Sequence, residues 1–235
     1  MNVERRLSEL NARYDLPPGA GHALSRLLGL ICGDPLAPTT VREPAVAVDS
    51  HVADALVALE LGPVRAARVV ADLGSGAGFP GLVLAAARPD ARFSLVEASR
   101  RKCEFLQRAA AKMELANVDV VPERAESWLE GFGACDLVTA RALAPLPVLV
   151  EYAAPLLTAS GALVAWKGGR DGGEEADGSA AAAATGLELA EIVPVRPWSE
   201  AERLHLHVYL KVGQTPNRYP RRPGMASKRP LRASA

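Results

Sequence analysis

Hydrophobic and polar positions follow two different rhythms along this chain. Over the first 62 residues, apolar side chains recur every three or four positions, as at Leu7, Leu10 and Tyr14 and again over residues 23–31. That period is typical of helices with one buried face. A third helical run covers residues 51–61, and no strand pattern interrupts the region. The pattern predicts an N-terminal helical segment, residues 1–62.

From residue 68 onward, short apolar runs alternate with helical patterns. Such alternation is typical of βαβ units and predicts an α/β fold, a Rossmann-like domain over residues 63–212. We expect a mainly parallel seven-stranded sheet with helices on both faces. Because the last two runs follow each other directly, a short hairpin would make them antiparallel. The seven predicted strands are residues 68–73, 91–97, 118–122, 135–140, 162–168, 187–195 and 203–212.

Two segments fall outside this alternation. Residues 168–186 are biased toward glycine, alanine and acids, which favours a solvated insertion with a short alanine helix. Residues 213–235 contain four prolines and six basic residues but no acid, and they show no periodicity. We therefore expect a basic tail that would be extended or disordered in isolation.

Composition narrows the class of protein. Hydrophobic residues make up 49% and charged residues 23%, the balance of an ordinary globular protein. The longest uncharged stretches span 15 residues, whereas a membrane-spanning helix needs about 20. The N-terminus lacks the apolar run of a secretory signal, so a cytoplasmic location is expected. Three cysteines without a CxxC pair predict reduced packing residues rather than disulfides or a zinc cluster.

The strongest local signal is a glycine-rich turn, DLGSGAGFPG, which begins at Asp72, directly follows a predicted strand and opens a predicted helix. Glycines at 74, 76 and 78 have no Cβ, so the turn can adopt positive φ and a ligand can approach the backbone. Free N–H groups and the helix dipole favour an anionic ligand group. The turn is therefore predicted to be a ligand cradle, with Asp72, Gly74, Gly76 and Gly78 as its contacts.

Two ligand fingerprints overlap in this turn. Residues 76–81 fit the dinucleotide pattern GxGxxG, whereas residues 72–78 fit the S-adenosylmethionine loop of Rossmann-like methyltransferases. Both classes place an acid at the end of the second strand, and Glu97 is suited there to accept hydrogen bonds from ribose hydroxyls. These features alone leave both cofactors open.

Residues after the third and fourth strands favour methyl transfer. Glu126 stands where methyltransferases hold adenine through a carboxylate, and no Tyr-xxx-Lys pair or His-Asp couple of a dehydrogenase is evident. Arg141 replaces the Asn/Asp-Pro-Pro-Tyr/Phe signature of amino-group methylases. It either orients the methyl donor, the base or a phosphate, or forms a structural ion pair.

Three polar residues on the last strands carry weaker signals. His205 and His207 alternate with leucine and share one strand face, but no further ligands converge on them. We therefore predict no metal site and expect both histidines to be exposed or hydrogen-bonded. Lys167 either contacts a phosphate or marks a solvated strand end.

Several short motifs occur together over nearly the whole chain: HVADA from His51, DLGSGAGFPG, Glu97, RAE at 124–126, TARAL at 139–143, WKG at 166–168 and TPNRYPRRPGMASKRPL in the tail. This combination resembles the bacterial small-subunit ribosomal RNA guanine-N7 methyltransferase G family, also called glucose-inhibited division protein B. Two positions depart from the family pattern. Ala55 stands where the family usually has Ser, and the family's Asn-Leu-Thr segment is here Leu36-Ala-Pro-Thr.

The resemblance implies an S-adenosylmethionine site with contacts from Gly74, Phe79, Ala125, Glu126 and Arg141. It also implies the substrate, a guanine in the 530 loop of 16S ribosomal RNA, methylated at N7. Since N7 already presents an in-plane lone pair, the reaction needs no general base, and alignment of the reacting atoms can carry the catalysis.

RNA phosphates are the natural partners of the basic tail, through Arg218, Arg221 and Arg222, with Lys167 as a further candidate. A solvated or docked tail is the other interpretation. Two functional alternatives also stay open at this point: an NAD-dependent oxidoreductase and a noncatalytic module for ribosome assembly or RNA binding.

Overall fold

Seven strands form one sheet in the spatial order β3-β2-β1-β4-β5-β7-β6, in a computed structural model that describes residues 2–233. Strands β1 to β5 pair in parallel. The strands are β1 Val69–Leu73, β2 Arg92–Val96, β3 Val118–Val121, β4 Cys135–Arg141, β5 Leu157–Lys167, β6 Leu187–Val195 and β7 Leu204–Lys211.

The last two strands, β6 and β7, form a hairpin whose order in the sheet is the reverse of their order in the chain. Strand β7 is antiparallel to both β5 and β6, and it lies between them, so β6 forms the edge. The predicted α/β fold, its seven strands and its antiparallel hairpin are confirmed. Because helices cover both faces of the sheet, the central strands are almost continuously apolar instead of alternating.

Helices pack on both faces and divide the core into two hydrophobic clusters. One cluster joins α1, α2 and the helical region before the sheet to α6, α7 and one sheet face. The other joins α8, α9 and α10 to the opposite face. The helices are α1 Val3–Tyr14, α2 Ala20–Gly33, α3 Pro44–Ala47, α4 Asp54–Leu56, α5 Gly62–Ala66, α6 Gly81–Ala87, α7 Arg100–Met113, α8 Leu146–Ala153, α9 Gly172–Thr185 and α10 Met225–Lys228.

The helical region before the sheet begins earlier than the sequence pattern indicates. Helix α3 starts at Pro44, and a π-helical segment, Val48–Ala53, connects it directly to α4. Glu43 caps α3 because its carboxylate accepts hydrogen bonds from the N–H groups of Ala45 and Val46. A helix beginning at residue 51 was therefore the wrong boundary, since the signal of the start lies in Glu43 and Pro44.

The alanine-rich segment is not a solvated insertion. It forms α9, whose start is capped by Asp171: the Asp171 Oδ1 atom accepts from Gly173 N at 2.9 Å and Glu174 N at 3.0 Å. Ala181 and Ala182 are buried against α8 and the sheet. The helix predicted in this segment is confirmed, but its solvated placement is wrong, because alanine and glycine allow close helix packing, which composition alone does not distinguish from solvation.

The C-terminal tail is also ordered over its described part. Tyr219 and Ala226 are buried, and α10 packs on α8. The extended or disordered tail was predicted for the segment in isolation, whereas in the folded chain the tail is docked, as the alternative interpretation has it. Elsewhere, the three cysteines are free thiols, and none of the helices described between residues 2 and 233 has the length and hydropathy to cross a membrane.

Candidate functional site

The glycine-rich loop leaves β1 with its backbone in the left-handed region three times. The φ angles are 66° at Gly74, 57° at Gly76 and 93° at Gly78. Gly74 N donates to Val96 O at 2.8 Å, which fixes the loop to the end of β2. A Cβ added at Gly76 would meet nothing closer than Gly74 O at 3.6 Å, so open space lies in front of this glycine. The loop therefore has room for a ligand at Gly76.

Asp72 lies beneath the loop and is fully buried. Its Oδ1 accepts from Thr139 Oγ1 at 2.8 Å and its Oδ2 from Gly81 N at 3.2 Å. Burial raises the pKa of Asp72 to about 6. This position differs from the predicted ligand contact, because both carboxylate oxygens hold the loop to β4 and α6. Asp72 is a support of the cradle and not part of its surface.

Glu97 follows β2 and connects the loop to the start of α7. Its Oε2 accepts from Gly76 N at 3.2 Å, and its Oε1 accepts from Ser99 N at 2.8 Å. The Lys102 ammonium lies 3.8 Å from Oε2. Each carboxylate oxygen can accept more than one hydrogen bond, so Glu97 retains capacity toward a ligand at the loop. The ribose contact stays a prediction.

Ala125 and Glu126 form a short 3₁₀ turn, Ala125–Ser127, just after β3. Both residues are buried, and Glu126 Oε1 accepts a hydrogen bond from Gly224 N at 3.0 Å. Since β1, β2 and β3 are parallel neighbours, their carboxyl ends bring the loop, Glu97 and Glu126 to one edge of the sheet. Ligands of open α/β sheets bind at this edge.

Arg141 ends β4 at the same edge and contacts the helical region before the sheet. Its Nη1 donates to Asp54 Oδ2 at 2.5 Å and to Ser50 O at 3.0 Å. Its Nη2 lies 3.0 Å from His51 Nδ1. The His51 ring stacks on Phe79 of the loop, with centroids 4.3 Å apart and 17° between the planes. The predicted site residues Phe79 and Arg141 are thus brought together.

The protonation of His51 follows from these contacts. Nδ1 lies 3.0 Å from Arg141 Nη2 and 3.2 Å from Ser50 O, and Nε2 lies 3.0 Å from Thr39 Oγ1. Because arginine only donates, the hydrogen bond from Arg141 forms in the tautomer whose proton is on Nε2, whereas a hydrogen bond to Ser50 O needs the proton on Nδ1. Burial and the adjacent guanidinium lower the pKa of His51 to about 4. His51 is therefore neutral at pH 7. In the sequence, His51 and Asp54 stand out only as part of a family motif, although their spacing places both on one helical face toward Arg141.

Lys167 and the two histidines of β7 lie in a different part of the sheet edge. The Lys167 ammonium lies 2.6 Å from Glu174 Oε1, so it forms an ion pair within the fold. His207 is buried with its Nε2 3.4 Å from Glu175 Oε1, whereas His205 is partly exposed. Of the two predicted alternatives, exposed or hydrogen-bonded, His207 is therefore hydrogen-bonded and not exposed. Within residues 2–233, no cluster of three potential metal ligands occurs.

The three tail arginines predicted to contact RNA have different environments. Arg221 forms an ion pair with Glu151 of α8, and its Nη2 lies 2.6 Å from Glu151 Oε2. Arg218 and Arg222 are exposed. The structure therefore leaves Arg218 and Arg222 accessible to a phosphate, whereas the partly exposed Arg221 is paired with a glutamate, which disfavours the predicted phosphate contact.

Solved structures with the same architecture are methyltransferases and related proteins. The Methanococcus jannaschii fibrillarin pre-rRNA processing protein superposes with a TM-score of 0.54 at 17% identity, over 69% of this chain and 74% of that protein. A SAM-dependent O-methyltransferase from Thermotoga maritima superposes with a TM-score of 0.54 at 16% identity, over 81% of this chain and 72% of that one. At these identities the likeness shows the fold, that of class I S-adenosylmethionine-dependent methyltransferases.

Sequence comparison is more specific. Ribosomal RNA small subunit methyltransferase G of Rubrobacter xylanophilus is 42% identical over 197 residues, which cover 81% of this chain and 76% of the relative. Its counterpart from Chloroflexus aggregans is 35% identical over 98% of this chain and 99% of the relative. The family model for rRNA small subunit methyltransferase G matches residues 36–199. The chain therefore belongs to the rRNA small subunit methyltransferase G family and is an S-adenosylmethionine-dependent enzyme.

Proposed function

We propose that the protein transfers a methyl group from S-adenosylmethionine to N7 of a guanine in the 530 loop of 16S ribosomal RNA, in the cytoplasm. The observation that carries this proposal is the convergence of the open glycine loop, Glu97, Glu126 and Arg141 at the carboxyl edge of β1 to β4. Membership of the family supports an RNA methyl acceptor, and the resemblance described above supplies the guanine and its N7 atom.

The residues at this edge fit the methyl donor. Gly76 leaves open space where a Cβ would otherwise stand, and Gly74 and Gly78 complete the curved backbone. Glu97 would accept from the ribose hydroxyls, and Glu126 with the backbone of Ala125 would hold the adenine. Phe79 and Arg141 would line the side toward the target, and Asp72 supports the loop from below. The nicotinamide alternative suggested by GxGxxG is disfavoured by the family and the fold.

S-adenosylmethionine supplies an electrophilic methyl group. The protein residues then have to bind and orient the methyl donor and the guanine and to exclude water. They need not remove a proton, because guanine N7 carries a free lone pair. His51, whose pKa is lowered to about 4, is a weak base at neutral pH, and the guanidinium of Arg141 only donates hydrogen bonds, so neither is suited to remove a proton. The fork of Arg141, held by Asp54, Ser50 and His51, provides a fixed cation that orients ligands at the end of β4. Orientation is therefore the proposed catalytic contribution.

For the RNA partner we propose contacts from Arg218 and Arg222, which are exposed on the tail. Lys167 and Arg221 are no longer proposed as phosphate contacts because each is paired with a glutamate. Basic side chains that reach phosphates position an RNA without reading its sequence.

The experiment is transfer of labelled methyl from S-adenosylmethionine to 16S RNA in small subunits from a strain that lacks this methylation. Strand scission at N7-methylguanosine after borohydride and aniline treatment then locates the product. We expect label and a single cleavage in the 530 loop. Label elsewhere, or cleavage without enzyme dependence, would overturn the proposal. Subunit binding without label would support the noncatalytic alternative instead.

A further inference from the structure

A buried carboxylate on α8 anchors the tail. Glu151 is only 1% exposed, and Arg221 supplies its donors: Nε and the backbone N lie 2.9 and 3.0 Å from Oε1, and Nη2 lies 2.6 Å from Oε2. A buried charge is stable only with such pairing and hydrogen bonding. The tail therefore supplies the partner that the interior of the domain requires.

Further contacts extend this attachment on both sides of Arg221. Tyr219 is buried before it, and Ala226 is buried after it. Ser227 Oγ lies 3.2 Å from the hydroxyl of Tyr152 on α8. We call residues 219–228 the tail clasp, because they follow α8 to the carboxyl edge of the sheet.

The clasp ends at the site proposed for adenine. Gly224 adopts a φ of 78°, the left-handed region that favours glycine, and its N–H donates to Glu126 Oε1 at 3.0 Å. In the part of the chain that the structure describes, Glu126 Oε2 accepts no hydrogen bond. One oxygen of the carboxylate is thus fixed by the clasp, while the other is available.

We propose that the tail clasp is a positioning element of the cofactor site. The Arg221–Glu151 anchor holds the Gly224 N–H against Glu126 Oε1, and Glu126 Oε2 is thereby oriented to accept from the amino group of the cofactor's adenine. The proposal rests on the assignment of adenine to Glu126 above. It gives Arg221 a function in cofactor binding, through a chain of contacts that spans α8, the tail and the turn after β3.

The test uses two ligands that differ at one group. S-adenosylhomocysteine carries the adenine amino group, whereas its 6-deamino analogue, the purine riboside form, carries a hydrogen in its place and keeps N1 as an acceptor. Calorimetry on the full chain would compare wild type, Arg221→Ala and the milder Arg221→Lys with Arg222→Ala, a matched removal of a neighbouring exposed cation. Binding is measured below the melting temperature of every variant, so that all are folded.

We expect Arg221→Ala to weaken S-adenosylhomocysteine binding roughly tenfold, about the effect of one hydrogen bond, and Arg221→Lys to weaken it less. Binding of the 6-deamino analogue should hardly change, since it lacks the amino group that would donate to Glu126. Arg222→Ala should leave both affinities unaltered. A general distortion of the site would weaken both ligands equally, and that result would overturn the proposal.

Glu126→Ala separates this proposal from the assignment on which it rests. If Glu126→Ala weakens S-adenosylhomocysteine but Arg221→Ala and Arg221→Lys do not, the clasp has no positioning role and the adenine assignment stands. If Glu126→Ala leaves the affinity unchanged, both the assignment and the clasp proposal are wrong. In support of both, Arg221→Ala should add no further loss in a chain that already carries Glu126→Ala.

Discussion

The glycine loop over residues 72–81 and the tail clasp are similar in composition but are held in place differently. Each contains at least one proline and at least one glycine with positive φ. Two contacts that shape the loop join residues near in sequence: Asp72 contacts Gly81 nine residues on, and Glu97 reaches back 21 residues to Gly76. A third contact, from Thr139 to Asp72, ties the base of the loop to β4. The clasp depends on partners 70 and 98 residues away. Order in such segments is therefore determined by where their partners lie, which composition does not reveal.

The largest expected effect separates a supporting glycine of the loop from a ligand-facing one. A Cβ at Gly81 would stand 2.4 Å from Leu95 Cδ2 and 2.7 Å from Asp72 Oδ2. We expect Gly81→Val to destabilise the fold by about 3 kcal/mol or more, as overpacking of a rigid core does. Thermal denaturation measures this loss.

Gly76→Ala is the matched control. Its Cβ meets only Gly74 O at 3.6 Å, so the strain of a positive φ should limit the loss of stability to about 1–2 kcal/mol. Cofactor binding, measured by calorimetry, should nevertheless fall sharply. Equal stability of the two variants would contradict the distinction between support and ligand surface.

A second test concerns the contact of the loop with the helical region before the sheet. His51 stays neutral in the folded protein, where its pKa is about 4, whereas in the unfolded chain it takes up a proton below about pH 6.5. Its contribution to stability is therefore lost as the pH falls from 6.5 toward 4, by on the order of 3 kcal/mol.

His51→Phe keeps an aromatic ring against Phe79 but cannot titrate. Between pH 6.5 and 4, we expect its free energy of unfolding to depend less steeply on pH than that of the wild type, in denaturant titrations at several pH values. If the two free energies of unfolding had the same pH dependence, the pKa of His51 would not be lowered in the folded protein.

A third test compares Glu97, which contacts the loop, with an exposed acid that does not. Glu97→Ala removes a carboxylate that is proposed to hold the ribose hydroxyls, and hydrogen bonds to a charged group contribute about 1.5–3 kcal/mol. The dissociation constant for S-adenosylhomocysteine should rise by roughly ten- to a hundredfold. Glu104→Ala, which removes an exposed acid from the same stretch of chain, should leave it unchanged. Equal affinities of the two variants would remove Glu97 from the site.

Sequence reasoning was most successful where the information is local. The strands, their hairpin and the glycine loop follow from periodicity and from the conformations that glycine allows. The interior position of Asp72 was missed, because it depends on Thr139 from another strand. The packing of α9 was missed because it depends on α8, and the pairing of Arg221 was missed because Glu151 looks like any helical acid in sequence. Placing these residues required knowing which distant elements meet.

The smallest expected effect distinguishes exposed cations of the tail from the anchored one. Replacing Arg218 and Arg222 with Gln removes two exposed charges, so affinity for small subunits should fall several-fold. The slope of log affinity against log salt should flatten by about 0.7–0.9 per lost phosphate contact. Cofactor affinity and melting temperature should not change.

Arg221→Gln should do the opposite, because it leaves Glu151 buried without its charged partner: melting temperature and cofactor affinity fall while the salt slope is preserved. If all three arginines changed the salt slope alike, the tail would be a uniform RNA-binding arm, and the contrast between an anchored clasp and exposed phosphate contacts would be wrong.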